Sequence, residues 1–278
     1  MRRLLRFGLG HWLILSAILG LILLAMTTDF LERMFVYFPE KGLEVDPSTM
    51  GLPFLDVHAT AEDGVGIHGW FFPRPGAPIT LLILHGNAGN ISHRLGWVQV
   101  LRALDAHIMI IDYRGYGRSE GKPFEEGLYL DARAAYEWWR GERATDKSKI
   151  ILVGESLGGA VAVDLAAKVP VDGIILQSTF TSARDMASTM FPIGLLRPLM
   201  RIRFDSAAKI PLVRCPKLII HGNRDEIVPY HLARKLYELA APPKTFYEVR
   251  GAGHNDLLLI SGAEYIPTLQ AFLSNSGL

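Results

Sequence analysis

Residues 153–160 read VGESLGGA and place a serine, Ser156, between two glycines. The apolar residues 150–153 before it are typical of a strand buried on both faces of a parallel sheet. The alanine-rich residues 160–168 after it are apolar at helical spacing, which predicts a helix just past the serine. A sharp strand-to-helix turn crowds the positions two residues on either side, where Gly154 and Gly158 carry no side chain. The stretch predicts a nucleophile elbow, with a plain glycine turn as the alternative.

Short apolar runs alternate with helical patterns along the rest of the chain. Residues 54–60 and 65–72 are joined by a Glu-Asp-Gly turn at 62–64, which predicts an antiparallel pair. The later predicted strands are 79–84, 107–111, 150–153, 173–176, 218–220 and 245–249. Helical patterns, such as 124–140 and a last helix within 264–274, separate them. This βαβ alternation predicts an α/β fold, with a mostly parallel, doubly wound sheet of about eight strands and helices on both faces.

Composition narrows the class of protein. The 278 residues suffice for one large α/β domain, and no linker divides them. The formal charge is +1, from 29 basic and 28 acidic residues, without a long run of either sign, which argues against a nucleic-acid partner. Cys215 is the single cysteine, so the chain can form neither an internal disulfide nor a cysteine-based metal site.

The N-terminus departs from the globular pattern. Residues 7–28 contain no Asp, Glu, Lys or Arg, and as a helix they would span about 33 Å, enough to cross a bilayer. We predict an uncleaved single-pass membrane anchor at 1–29 and a catalytic domain at 30–278; a cleaved signal peptide and a buried helix are the alternatives. Three arginines precede the stretch, whereas Asp29, Glu32 and Arg33 follow it. The positive-inside rule therefore places the domain on the non-cytoplasmic side.

A serine nucleophile needs a base, and the base needs a carboxylate that orients it. His254 lies in GAGHND, a glycine-rich loop between the last strand and the last helix, and is the predicted base. Asp225 in HGNRDEIVP follows the strand 218–220 and is the predicted carboxylate. The resulting chain order, Ser156, Asp225, His254, is that of α/β-hydrolase triads.

Other titratable residues compete for these roles. Glu226 neighbours Asp225 and is its rival as the carboxylate. His85 and His221 each end a strand in a His-Gly pair, where we expect them to bond to backbone groups. Asp112 ends a strand before the serine, in DYRGYGRSEG, and is expected to organise that loop; Asp256 is expected to be structural.

Acyl transfer also needs hydrogen-bond donors for the developing oxyanion. The backbone N–H after the nucleophile, that of Leu157, is the first expected donor. The second should come from LHGNAGN, residues 84–90, where small side chains allow backbone amides to face the serine. Asn87 is the predicted donor there, with Ala88 next; a plain glycine turn is the alternative.

Six motifs, HGNAGN, DYRGYGRSEG, GESLGG, STFTS, HGNRDEIVP and GAGHND, resemble in this order those of the α/β-hydrolase superfamily. Within it, the stretch from about residue 35 to the end is similar to the Bem46 and ABHD13-like serine hydrolases. The resemblance implies a serine hydrolase with Ser156, Asp225 and His254 as its triad and without a metal or organic cofactor. Such relatives often carry an N-terminal membrane segment, and they include esterases and thioesterases. The chain lacks the cysteine-rich N-terminus of the depalmitoylating relatives.

The expected function is hydrolysis of small-molecule or lipid-like acyl esters or thioesters. A serine peptidase of the prolyl-oligopeptidase type and a membrane-anchored binding protein without catalysis are the alternatives. A short cap is predicted at about 183–214. Its residues 186–200, MASTMFPIGLLRPLM, contain no acidic side chain. They are expected either to pack in the core or to form a lid that lines an acyl pocket, which would favour medium-chain over acetyl esters.

Overall fold

The computed structural model describes residue 16 and residues 35–142, 148–189 and 200–278. The predicted membrane anchor at 7–28 lies outside the described residues except for Ser16. Of the predicted cap, residues 183–189 and 200–214 are described, and they contain two short α-helices and one 3-10 turn. The predicted lid lies mostly in residues 190–199, outside the described part of the chain.

An eight-stranded sheet forms the centre of the described domain. Its strands, numbered here in chain order, are β1 Leu55–Thr60, β2 Gly66–Phe72, β3 Ile79–Leu84, β4 Ala106–Ile111, β5 Lys149–Glu155, β6 Gly173–Gln177, β7 Lys217–Gly222 and β8 Lys244–Val249. Their order across the sheet is β8-β7-β6-β5-β3-β4-β2-β1. Neighbouring strands are parallel except at β2, which is antiparallel to β1 and β4. The predicted mostly parallel sheet of about eight strands is confirmed.

Helices cover both faces of the sheet. They are α1 Leu95–Leu101, α2 Glu125–Glu142, α3 Leu157–Lys168, α4 Ala183–Thr189, α5 Ser206–Lys209, α6 Tyr230–Leu239, α7 Leu257–Ser261 and α8 Tyr265–Asn275. Buried side chains of α2, α3 and α6 share one core cluster with one face of the strands. Those of α1 and α8 share a second cluster with the opposite face. The doubly wound arrangement is therefore as the alternation of strands and helices predicts.

The local chemistry of the sequence explains these elements. Every residue of β3 and of β4 is buried, as an apolar strand between two helical layers requires. The hairpin between β1 and β2 turns at Gly64, whose φ of 84° is a left-handed conformation that favours glycine. Because β3, β5, β7 and β8 are parallel, the loops that follow them meet at one edge of the sheet, termed here the carboxyl edge.

One helical stretch among the described residues, Leu257–Asn275, is apolar and long enough to cross a membrane by length and composition alone. It comprises α7, a single 3-10 turn and α8. Its side chains Leu257, Leu269 and Phe272 are buried in the core cluster that α1 and α8 share with one face of the sheet. Such contacts are those of a helix that packs on the sheet, so the stretch is weak evidence for a membrane span.

Candidate active site

Ser156 occupies a strained turn between β5 and α3. Its φ of 51° and ψ of −115° are rare for a residue with a side chain and cost about 1–3 kcal/mol. Two contacts to the end of β6 hold the conformation. The Ser156 N–H donates to Gln177 O at 2.8 Å, and Thr179 Oγ1 donates to Ser156 O at 2.8 Å. These two hydrogen bonds therefore hold the backbone of Ser156 in its strained conformation.

The glycines on either side are required by close backbone contacts. A β-carbon at Gly158 would lie 1.9 Å from Leu84 O, at the end of β3. One at Gly154 would lie 2.6 Å from Gly158 O. A side chain at either position would displace the strand or the first turn of α3. The predicted elbow geometry is thus present, and it packs α3 directly against β3.

The structure brings Asp225 and His254 together from the loops after β7 and β8. His254 Nδ1 lies 2.8 Å from Asp225 Oδ2. An ionised carboxylate only accepts hydrogen bonds, so Nδ1 carries the ring proton and Nε2 keeps its lone pair as a base. No hydrogen bond joins Ser156 Oγ to His254 within the described residues. Catalytic hydrogen bonds are often long before substrate binds.

Asp225 is fixed as an anion by its surroundings. Its Oδ1 accepts the N–H groups of Ile227 at 2.9 Å and Val228 at 2.7 Å, while His221 Nε2 lies 3.3 Å from Oδ2. Burial acts to raise the pKa of Asp225, but the hydrogen bonds from His221, His254 and Val228 outweigh it. The pKa of Asp225 therefore lies well below its ordinary value.

The loop after β3 lies directly beside the serine. A β-carbon at Gly86 would be 3.5 Å from Ser156 Cβ. Among the described residues, the backbone N–H groups of Asn87 and Leu157 donate no hydrogen bond to the chain. Both predicted oxyanion donors are thus available on the two segments that meet at Ser156.

Glu155 and Arg94 brace this loop, and sequence reasoning missed both. Glu155 Oε2 accepts the Gly86 N–H at 3.1 Å and Arg94 Nε at 3.0 Å. An η nitrogen of Arg94 also donates to Ala88 O at 3.2 Å. Burial acts to raise the pKa of Glu155, but Arg94 and the Gly86 N–H lower it below its ordinary value. Glu155 stands next to Ser156 in the elbow, but no spacing signal indicates that its side chain turns toward the other loop.

A segment near the N-terminus packs against the loop after β3. The two-residue strands Phe38–Pro39 and Ala88–Gly89 pair in parallel. The Phe38 N–H donates to Asn87 O at 3.0 Å, and Asn87 Nδ2 donates to Val36 O at 3.1 Å. Tyr116, from the DYRGYGRSEG loop, donates its hydroxyl to Asn87 O at 2.8 Å. Sequence reasoning missed this segment because neither two-residue strand shows a hydrophobic periodicity that predicts strand pairing.

The competing acidic residues take other positions. Asp256 Oδ1 accepts the Gly253 N–H at 2.7 Å and shapes the loop that carries His254. Asp112 Oδ1 accepts the Ile91 N–H at 3.0 Å, and its backbone carbonyl accepts the Ser119 hydroxyl. Asp112 therefore organises its loop, as expected. Glu226 lies against the backbone of Gly253 but is not hydrogen-bonded to His254.

His85 and His221 both bond to backbone carbonyls, as expected. His85 Nδ1 lies 2.7 Å from Gly86 O, and His221 Nε2 lies 2.9 Å from Val228 O. Because a carbonyl only accepts, each of these nitrogens carries the ring proton. The additional contact of His221 with Asp225 was not predicted.

A group of possible metal ligands lies outside this site. Glu40, Glu44 and His93 each place one ligand atom within 4.8 Å of the others. However, His93 Nδ1 accepts the Asn90 N–H at 3.1 Å, so a neutral ring carries its proton on Nε2. That nitrogen lies 3.4 Å from Glu44 Oε2. The group is better explained as an imidazole paired with carboxylates than as a metal site.

Comparisons with known proteins agree with this architecture. A family model described as the alpha/beta hydrolase fold matches residues 79–201. The chain is 35% identical to the alpha/beta hydrolase domain-containing protein WAV2 of Arabidopsis thaliana, over 90% of this chain and 89% of the plant protein. It is 33% identical to protein bem46 of Schizosaccharomyces pombe, over 88% and 86% of the two chains. The protein therefore belongs to the α/β-hydrolase family.

Solved structures show the same fold. An esterase of Pyrococcus furiosus superposes with a TM-score of 0.73 at 20% identity, over 87% of this chain and 98% of the esterase. At this identity the likeness concerns the fold alone. In α/β folds, ligands bind at the carboxyl edge of the sheet, where the candidate site of this chain lies.

Proposed function

We propose that the protein is a membrane-anchored serine hydrolase that cleaves carboxylic ester or thioester bonds through an acyl-enzyme on Ser156. The observation that carries this proposal is the strained serine at the elbow, beside two unused backbone N–H groups. The imidazole at the same edge is oriented by an anionic carboxylate. These are the nucleophile, the oxyanion donors and the base that acyl transfer needs.

The reaction proceeds in two halves. As Ser156 Oγ bonds to the substrate carbonyl carbon, its proton passes to His254 Nε2, and the N–H groups of Asn87 and Leu157 stabilise the oxyanion. The bond to the alcohol or thiol then breaks, and the leaving group takes the proton from His254. Water, deprotonated by the same nitrogen, attacks the acyl carbon; the bond to Ser156 Oγ breaks, the acid is released, and His254 returns the proton to Oγ. Asp225 remains ionised throughout and stabilises the imidazolium.

Small-molecule or lipid-like acyl esters are the proposed substrates. The esterase likeness supports an ester substrate, and the uncharged residues 7–28 support a location at a membrane. The charges that flank this stretch favour a catalytic domain on the non-cytoplasmic side.

A fluorophosphonate probe tests the nucleophile. We expect it to label the wild-type chain and not the Ser156→Ala variant. Ser178→Ala is the matched control, because Ser178 is a buried serine at the end of β6 with a φ of 50°. Labelling that persists without Ser156, in a variant with an unchanged circular dichroism spectrum, would refute the assignment. A wild-type chain that never reacts would indicate a binding protein.

Substrate chemistry separates the remaining alternatives. Matched 4-methylumbelliferyl esters, acyl thioesters and peptide amides should be hydrolysed in that approximate order, with peptides barely cleaved. Faster cleavage of peptides than of esters would identify a peptidase instead.

Membrane attachment has its own test. The chain should stay with the membrane after a carbonate wash. Protease applied to cells with an opened outer barrier should digest the domain. Digestion only after lysis would reverse the proposed orientation.

A further inference from the structure

Several exposed apolar side chains lie around the candidate active site. Phe35 is 54% exposed, Phe38 48%, Ile227 39%, Leu259 79% and Ile260 47%. We term these five residues the apolar rim. Exposed apolar side chains that are grouped, rather than scattered singly, mark surfaces that contact a partner or a membrane.

Each member of the rim lies at the carboxyl edge of the sheet. Phe35 precedes Val36, whose carbonyl accepts the Nδ2 hydrogen bond of Asn87 in the loop after β3. Phe38 is hydrogen-bonded through its N–H to the loop after β3. Ile227 donates its N–H to Asp225, in the loop after β7. Leu259 and Ile260 belong to α7, whose position needs a separate argument.

Two fixed points place α7 at the same edge. The loop before it carries His254, which pairs with Asp225. After it, Tyr265 donates its hydroxyl to Gln177 Oε1 at 2.9 Å, and Gln177 is the last residue of β6. A five-residue helix held between these points cannot leave the carboxyl edge. Leu259 and Ile260 therefore flank the site.

The chain enters the described domain at this edge as well. Only residues 29–34 separate the end of the uncharged stretch from Phe35. Fully extended, the link from residue 28 to residue 35 reaches at most about 25 Å. An anchor at 7–28 would thus tether the domain by the edge that carries the candidate site.

We infer that the carboxyl edge rests on the lipid bilayer, with the apolar rim in contact with acyl chains, so that Ser156 meets esters that partition into the membrane. This inference rests on the proposed anchor and hydrolase activity. Exposed apolar side chains also lie at the opposite edge. What distinguishes the rim is the short link to residue 28. Burial of apolar side chains in the bilayer would hold the edge in place.

Leu239 is the matched control at the opposite edge. It is 40% exposed and ends α6. Two residues later, Ala241 O accepts the Nζ hydrogen bond of Lys217, the first residue of β7. Leu239 therefore lies at the amino end of the parallel strands, away from the proposed bilayer contact.

The direct test places an environment-sensitive fluorophore at each edge. The full chain, with Cys215→Ser, carries either Leu259→Cys or Leu239→Cys, labelled with a nitrobenzoxadiazole dye and reconstituted in phosphatidylcholine vesicles. We expect dye at position 259 to shift to the blue and to be quenched by nitroxide-labelled lipid, and dye at 239 to do neither. Dye at position 259 that is not quenched, or dye that is quenched equally at both positions, would overturn the inference.

Activity provides the second readout. The double substitution Leu259→Ser, Ile260→Ser should lower hydrolysis of 4-methylumbelliferyl palmitate dissolved in the vesicles by about tenfold. Hydrolysis of water-soluble 4-methylumbelliferyl butyrate should be unchanged, and Leu239→Ser should affect neither. Equal loss on both esters would contradict a bilayer contact and indicate damage to the site. No loss on the palmitate would also contradict the inference.

Two further outcomes distinguish failure of this inference from failure of the proposed hydrolase activity or of the proposed anchor. If no ester is hydrolysed although position 259 is quenched, the proposed activity fails and the bilayer contact stands. If the chain does not float with the vesicles, the proposed anchor fails and the inference fails with it. A dimer in sedimentation analysis that dissociates on the double substitution would assign the rim to a second copy of the chain and overturn the bilayer contact.

Discussion

The same tripeptide, His-Gly-Asn, ends two strands of this sheet and has a different role at each. Residues 85–87 follow β3, and residues 221–223 lie at the end of β7. At the first, Asn87 Nδ2 donates to Val36 O and the loop lies beside Ser156. At the second, Asn223 bonds to Glu248 at the surface. The tripeptide therefore specifies the end of a strand, and its surroundings specify what the loop does.

A carboxylate from outside the tripeptide stabilises each loop. Glu155 accepts the Gly86 N–H in the first loop, and Asp225 accepts the N–H groups of Ile227 and Val228 in the second. Arg94 compensates the charge of the partly buried Glu155, whereas His221 and His254 compensate that of the buried Asp225. The first loop lies beside the serine and leaves the Asn87 N–H without a hydrogen bond to the described residues. The second leaves an oriented imidazole.

The largest expected effect comes from the second loop. Asp225→Asn should lower kcat by about 10⁴-fold, because the amide favours the wrong tautomer of His254. Asp112→Asn is the matched control, a buried carboxylate after β4 that bonds to a loop N–H. Steady-state kinetics on a soluble ester measures both. A larger loss for Asp112→Asn in a folded protein would show that the wrong carboxylate has been assigned.

The first loop should show a smaller effect of a different kind. Glu155→Ala should lower kcat by about 10- to 100-fold with little change in KM, because the Asn87 N–H moves from the position where the oxyanion forms. Glu155→Gln, which keeps an acceptor for Gly86, should restore part of the loss.

Asp164→Asn is the control for Glu155. Asp164 is a buried carboxylate on α3, paired with Lys168 and Lys209 away from the loop. It should change stability without changing kcat. A rise in KM at constant kcat for Glu155→Ala would contradict the positioning role.

Substitution of His221 and of His85 allows the two loops to be compared directly. His221→Phe should reduce the free energy of unfolding by about 2–3 kcal/mol and lower kcat, because it removes both the hydrogen bond to Val228 O and the 3.3 Å contact of Nε2 with the Asp225 carboxylate. His85→Phe should cost about 1 kcal/mol, because it removes a bond to a neutral carbonyl. Urea unfolding and kinetics measure both variants. Equal effects on kcat would mean that His221 has no special relation to Asp225.

Acid should weaken both loops, and this is the smallest effect. The pKa values of Glu155 and Asp225 are lowered by folding, so the native state binds fewer protons than the unfolded state as pH falls below about 5. Their stabilisation is therefore full above that pH and declines below it. The difference in unfolding free energy between wild type and Asp225→Asn should shrink from pH 6 to pH 3. A constant difference would show that the Asp225 carboxylate is not stabilised by folding.

Much of the fold was predictable because its signals are local. The apolar run at 79–84 coincides with β3, and the predicted helix at 124–140 differs from α2 by one or two residues at each end. The helix after the serine begins at Leu157, directly past Ser156, as the alanine-rich pattern predicts. Some strands extend beyond the predicted runs, since polar residues such as Glu155 continue the ladder.

Parts of the candidate site were predictable for the same reason. Asp225 and His254 follow strands that are parallel, and the carboxyl ends of such strands share an edge. Their separation of 2.8 Å agrees with the prediction that the two side chains work together. Glu155, Arg94 and the segment at 36–40 were missed, because their partners are distant in sequence and no period relates them.

By itself the sequence determined the alternation of strands and helices, the position of the elbow and the order of the predicted catalytic residues. Hydrophobic period and the steric demands of glycine act over a few residues, so they can be read from the chain. Only the tertiary structure decided which N–H groups stay free beside Ser156 and which carboxylate braces each His-Gly-Asn loop. Hydrogen-bond partners depend on distances of a few tenths of an ångström between segments that the fold alone brings together.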